Sequence, residues 1–288
     1  MCLPDECEQP ARRTLLGRLA AIGAISLVTA RARAANFLQP ITTEEVTFPT
    51  SVGAVGGYLA TPQSEQNRYR GAVVILHGEF GLPASHRLTA DELAQAGFAA
   101  LAVRRFSRQP GMTSGDLWRD DQGEGRYRTE AYVREELAET AGAADFLLAT
   151  CPSSERIGVV GFCGGGIRAV RYAARDPRVA AAVSFYGAPR LEARFKTASD
   201  PALDLLEIED PIRAPVQMHY GLNDYVVKPA DIEALAARIR AAGGLAEDYA
   251  YEGAGHAFYD RTNPQSYAAS AAALARERYL DFLAAHLT

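Results

Sequence analysis

The stretches "GAVVILHG" (71–78), "GFAALAV" (97–103), "RIGVVGF" (156–162), "VAAAVSFYG" (179–187) and "APVQMHYG" (214–221) are almost continuously apolar. Strands that lack polar alternation are buried on both faces, which requires a sheet covered by helices on either side. Helix-like segments lie among them. "ASHRLTADELAQAG" ends in Gly97, a C-terminal cap, and "TEAYVREELAETAGAADFLLA" precedes the strand at 156. "GGIRAVRYAARDP" stops before Pro177, "PADIEALAARIRAAGG" opens on Pro229 and closes in glycines, and "SYAASAAALARERYLDFLAAHL" finishes the chain. This alternation predicts an α/β fold with a doubly wound, mostly parallel sheet and helices on both faces.

Two further runs, "EEVTF" (44–48) and "GGYLA" (56–60), joined by the glycine-bearing "PTSVGAV", read as an antiparallel pair. With "AEDYAYEG" (246–253) the expected strands number eight. Residues 104–128 and 188–213 fall outside the alternation, and in such a sheet they lie beyond strand ends, where ligands bind.

The first 34 residues differ from the rest. Arg12 and Arg13 precede an apolar stretch, and Ala32-Arg33-Ala34 offers a cleavage pattern before Ala35. We read residues 1–34 as a cleaved export signal of the twin-arginine type, with a single domain over 35–288 and a periplasmic location. If the signal reading is wrong, the location is cytoplasmic. The uncharged run Leu19–Ala30 is shorter than the roughly 20 residues that span a bilayer, so no stable membrane insertion is expected. Without the signal the chain carries 25 basic and 32 acidic residues. That balance excludes a nucleic-acid-binding stripe.

Removal of the signal leaves Cys151 and Cys163. Six strand residues between them at about 3.3 Å each span roughly 20 Å, whereas a disulfide needs Cα atoms within about 7 Å. Cys163 is therefore expected to be a free thiol.

That cysteine stands in "GFCGGG", a G-x-C-x-G pattern at a strand-to-helix turn. This is the nucleophile elbow, with sulfur in place of the usual oxygen. Gly161 and Gly165 leave room where side chains would strike the neighbouring strand and helix. The N–H of Gly164 points at a reacting carbonyl, and the helix N-terminus favours thiolate and oxyanion. A nucleophile of this kind needs a base, and the base an orienting acid. Of the five histidines, only His256 lies in a glycine-rich loop after the last strand, in "EGAGHAFYD". Asp224 follows the preceding strand in "YGLNDYVVKP". The order Cys163, Asp224, His256 is that of nucleophile, acid and base in α/β-hydrolases. A second oxyanion donor is expected after the strand "AVVILHG", from the N–H of Glu79 or Phe80, with His77 a structural loop histidine. The scattered histidines offer no metal-ligand spacing, and the chemistry needs no cofactor.

These residues resemble the dienelactone hydrolases (carboxymethylenebutenolidases), over a stretch from Val46 to Leu287. The markers are "GFCGGG", "GLNDYVVKPADIEAL", "GAGHAFYD" and "SYAASAAALARERYLDFL". The resemblance implies the α/β-hydrolase fold and the triad Cys163–Asp224–His256. It also implies that Arg108, in "FSRQPG", grips a substrate carboxylate. A second arginine of this kind maps near Arg261, although Asp260 intervenes and shifts the register. The family's glutamate after the strand histidine falls here on Gly78, with Glu79 one residue later. Trp118, Phe106 and Tyr186 are candidates to line an apolar pocket, and core packing explains Tyr186 equally well.

The expected partner is a small-molecule ester or lactone, hydrolysed by a monomer or small homo-oligomer. A thiolate leaves a tetrahedral intermediate more readily than a simple alkoxide does, so only esters with a stabilised leaving group, such as enol lactones, go forward well. The alternatives are a broader-range carboxylesterase or acyl hydrolase, a non-catalytic binding protein that retains the elbow, and a redox-sensing thiol.

Overall fold

The computed structural model describes residues 39–64, 69–78, 81–108, 130–151, 155–190 and 204–288, which belong to one unit, Gln39–Thr288. The expected export signal lies outside them, as do Glu79, Phe80 and Trp118. The strands are β1 (Ile41–Thr50), β2 (Gly53–Pro62), β3 (Ala72–Leu76), β4 (Ala99–Arg104), β5 (Ile157–Phe162), β6 (Val179–Phe185), β7 (Val216–Gly221) and β8 (Ala246–Tyr251). They form one eight-stranded sheet in the order β1-β2-β4-β3-β5-β6-β7-β8. From β4 through β8 every pairing is parallel, while β1–β2 and β2–β4 are antiparallel. All residues of β3, β5, β6 and β7 are buried, as their unbroken apolar sequences require.

The helices among the described residues are α1 (Ala84–Gln95), α2 (Glu130–Thr150), α3 (Gly164–Arg175), α4 (Pro229–Ala241) and α5 (Ala269–Leu287). They cover both faces, as β5 records. A Cβ on Gly158 would approach Leu283 and Leu287 of α5, while one on Gly161, three residues on and therefore on the other face, would strike the start of α3. Gly97 terminates α1 at φ +97°, and Pro229 opens α4, as expected. No helix among the described residues is long and apolar enough to cross a membrane.

The hairpin departs from the sequence expectation in length. The expected seven-residue link contracts to Ser51–Val52, and Pro49 pairs with Ala54 inside the sheet. As the edge strand, β1 tolerates a proline that lacks a ladder donor, which is why a turn signal in the sequence lies within a strand.

The sheet brings several loops to the carboxyl ends of its strands. His77 follows β3, a short 3-10 turn (Arg105–Arg108) follows β4, Cys163 follows β5, and the segments bearing Asp224 and His256 follow β7 and β8.

Candidate active site

Cys163 sits between β5 and α3 with φ 55° and ψ −124°, a conformation that L-residues rarely adopt. Its N–H donates to the Phe185 carbonyl (2.9 Å), and its own carbonyl accepts from Gly166 N–H (2.9 Å), so neighbouring backbone holds the turn. Glycines make the turn possible. A Cβ on Gly161 would collide with the Gly165 carbonyl, and one on Gly165 with the Leu76 carbonyl of β3. The thiol is partly exposed and free, whereas Cys151 is buried. Burial alone pushes the Cys151 thiol up to about 11, which leaves it inert.

His256 approaches this sulfur from the loop after β8. Its Nε2 lies 3.2 Å from Cys163 Sγ, and its Nδ1 lies 2.9 Å from Asp224 Oδ2. The Asp224 side chain is fully buried and that of His256 is 15% exposed. The second oxygen of Asp224 accepts backbone N–H bonds from Val226 (2.7 Å) and Val227 (3.2 Å). The two loops are joined directly, because Asn223 N–H donates to the Ala254 carbonyl (2.9 Å) and Leu222 N–H to the Tyr251 carbonyl (3.0 Å). Burial by itself would lower the pKa of His256, but the hydrogen bonds to Asp224 and Cys163 and the charges of both partners raise it to about 10.

Backbone strain collects here. Besides Cys163, the non-glycine residues with positive φ among those described are Tyr186 (41°) and Ala257 (61°). The Tyr186 ring stands 5.2 Å from that of His256, and the ring of the highly exposed Tyr225 stands 5.9 Å from it. Tyr186, which the sequence offered either as a pocket residue or as core, is buried, whereas Tyr225 carries no sequence signal.

His77, expected to be a structural loop histidine, lies just after β3. It is fully buried, and burial followed by the charge of Arg105 holds its pKa well below 6.5. Gly78 leaves room beside the thiol, for a Cβ there would lie 3.0 Å from Cys163 Cβ and 3.6 Å from Sγ. Gly164, the expected oxyanion donor, is the first residue of α3.

The two arginines singled out for a substrate carboxylate are held by carboxylates of the protein itself. Arg108 donates to Glu139 (2.7 and 3.0 Å), to Glu135 (3.0 Å) and to the Val52 carbonyl (3.1 Å). Arg261 bonds Glu92 (2.5 Å), a buried residue that also accepts from Tyr259, Tyr279 and Arg276. Sequence reading missed a buried charged cluster beneath the elbow, in which Glu136 is met by Arg105, Arg168 and Arg171. The available signal was "GGIRAVRYAARDP", where two arginines three residues apart lie on a helix that the fold must bury.

The dienelactone hydrolase family model matches residues 55–287. The chain belongs to the dienelactone hydrolase family. A carboxymethylenebutenolidase of Pseudomonas putida is 34% identical over 214 residues, covering 74% of this chain and 84% of that relative. Among solved structures, a protein of Klebsiella pneumoniae assigned as a dienelactone hydrolase superposes with a TM-score of 0.71 at 25% identity, over 85% of this chain and 99% of its own. A dienelactone hydrolase-like promiscuous phosphotriesterase from metagenomic libraries superposes with a TM-score of 0.67 at 21% identity, over 86% and 99% of the two chains. That last likeness is one of fold. The α/β-hydrolase fold of the family accounts for the sheet order and for the strand ends on which Cys163, Asp224 and His256 lie.

Proposed function

We propose that this protein hydrolyses activated esters, enol lactones above all, through a Cys163–His256–Asp224 triad and a thioester intermediate. The observation that carries the reading is the imidazole of His256, which reaches Cys163 Sγ with one nitrogen and Asp224 with the other. Membership of the dienelactone hydrolase family supports the ester or lactone class.

His256 accepts the thiol proton, and the imidazolium is stabilised by buried Asp224. The thiolate attacks the lactone carbonyl, forming a C–S bond, and the oxyanion is held by Gly164 N–H and by amides of the loop after β3. Collapse breaks the ring C–O bond. The departing enolate takes the imidazolium proton, and the product end tautomerises to a ketone. A water molecule then gives its proton to His256 and attacks the thioester, the C–S bond breaks, and the sulfur recovers a proton. With an alkyl ester the intermediate mostly expels the thiolate and returns to substrate, whereas an enolate leaves readily enough for the acyl-enzyme to form.

A substrate carboxylate would have to compete with Glu139 and Glu135 for Arg108, and with Glu92 for Arg261. The carboxylate-bearing substrates implied by the resemblance are therefore not required by the described residues.

The test is hydrolysis of an enol lactone beside an alkyl ester of matched size. The wild-type protein is expected to favour the lactone in kcat/KM by about a hundredfold or more, which corresponds to roughly 3 kcal/mol of barrier. Cys163→Ala is expected to abolish both activities. Equal rates on the two substrates would overturn the sulfur argument. We further propose export by the twin-arginine route, with Ala35 as the first residue of the exported protein. N-terminal sequencing of the protein recovered from cells checks this, and a chain that retains Arg12 and Arg13 would contradict it.

A further inference from the structure

A Cβ on Gly78 would lie 3.0 Å from Cys163 Cβ, and the carbonyls on both sides of the Gly78 Cα are tied down by side chains, one from the adjacent His77 and one from Arg168 of α3. Arg168, one turn into α3, donates from Nη1 to the His77 carbonyl at 3.0 Å. The His77 ring binds the next carbonyl, that of Gly78, with Nδ1 at 2.6 Å. The ring is itself fixed, since Nε2 accepts the backbone N–H of Arg105 at 3.3 Å. That acceptance assigns the tautomer, because a neutral ring with a lone pair on Nε2 carries its proton on Nδ1, where it donates to Gly78 O. Burial keeps the ring in this neutral form. Arg168 is held in turn by Glu136 of α2, whose side chain is 5% exposed and which also meets Arg171 (3.0 Å) and Arg105 (3.2 Å).

A trans peptide is planar, with its N–H opposite its C=O, so clamping a carbonyl also fixes the direction of the following amide. We propose that His77 and Arg168 are positioning residues that set the peptide planes beside Cys163 for oxyanion binding. Neither needs to touch the substrate. Arg168 lies on the nucleophile's own helix, so the clamp ties the elbow to the loop that shares the oxyanion with it. The inference rests on the ester-hydrolase reading only in taking Cys163 as the atom that is acylated.

Two reactions of the same sulfur separate this role from a general structural one. Acylation by p-nitrophenyl acetate passes through a tetrahedral oxyanion, whereas alkylation by iodoacetamide does not. In Arg168→Met and His77→Phe the nitrophenolate burst rate is expected to fall about 10- to 100-fold, up to the loss that follows removal of one oxyanion donor. Iodoacetamide alkylation should stay within about threefold of wild type. His77→Asn, which keeps a donor near the Nδ1 position, and Arg168→Lys are expected to recover part of the burst rate. Should the larger substitutions prevent folding, the same split is read in these two milder variants. An unchanged burst rate, or burst and alkylation falling in parallel, would overturn the proposal. If wild-type protein gives a burst and is alkylated but does not turn over an enol lactone, the functional reading fails while the positioning role stands.

Discussion

At the scale of single residues, the proposed chemistry depends on one imidazole held between an acid and a sulfur. Its pKa, raised from 6.5 to about 10, links the site to folding. A histidine that binds its proton more tightly when folded stabilises the fold fully below about pH 6.5, and that contribution disappears as pH rises through about 10. Wild-type protein is therefore expected to be more stable than Asp224→Asn at pH 6, with the margin shrinking toward pH 10. Urea titrations of both proteins at the two pH values measure this, and a margin that grows with pH would contradict the assignment. The three residues of this site could be read from the sequence because each stands just after a strand, in the chain order that the fold imposes. The fate of Arg108 could not. Its partners are set by carboxylates 27 and 31 residues away on α2, and no local pattern records which guanidinium meets which acid in space.

Among elements, β5 and α3 were legible for a steric reason. Continuous apolar residues specify a doubly covered strand, and glycines at 161 and 165 specify a helix that starts against β3. The interior of the α2–α3 contact was not, because a charged residue in a helical pattern reads as a solvated face unless the fold is already known. Three guanidiniums surround the Glu136 carboxylate there. Burial alone would lift the Glu136 pKa, but Arg168, Arg105 and Arg171 bring it below the ordinary carboxylate range. Removing that carboxylate leaves buried positive charge uncompensated. Glu136→Gln is therefore expected to cost about 3–5 kcal/mol of stability, as measured by denaturant titration. A cost below about 1 kcal/mol would mean that the cluster is hydrated or rearranges.

For the molecule as a whole, the topology makes the site. Parallel strands send every β-to-α turn to the same edge, so loops that follow β3, β5, β7 and β8 meet although their residues span positions 77–256 of the chain. Family membership and fold agree with this arrangement. The central claim is that the acyl group passes through Cys163. Its most direct test is the mass of protein quenched during turnover of an enol lactone. Ring opening by the thiolate retains every atom of the lactone, so the protein should gain the full substrate mass, on the peptide that contains Cys163. Undiminished turnover in Cys163→Ala, with no such adduct in the wild-type protein, would contradict the account.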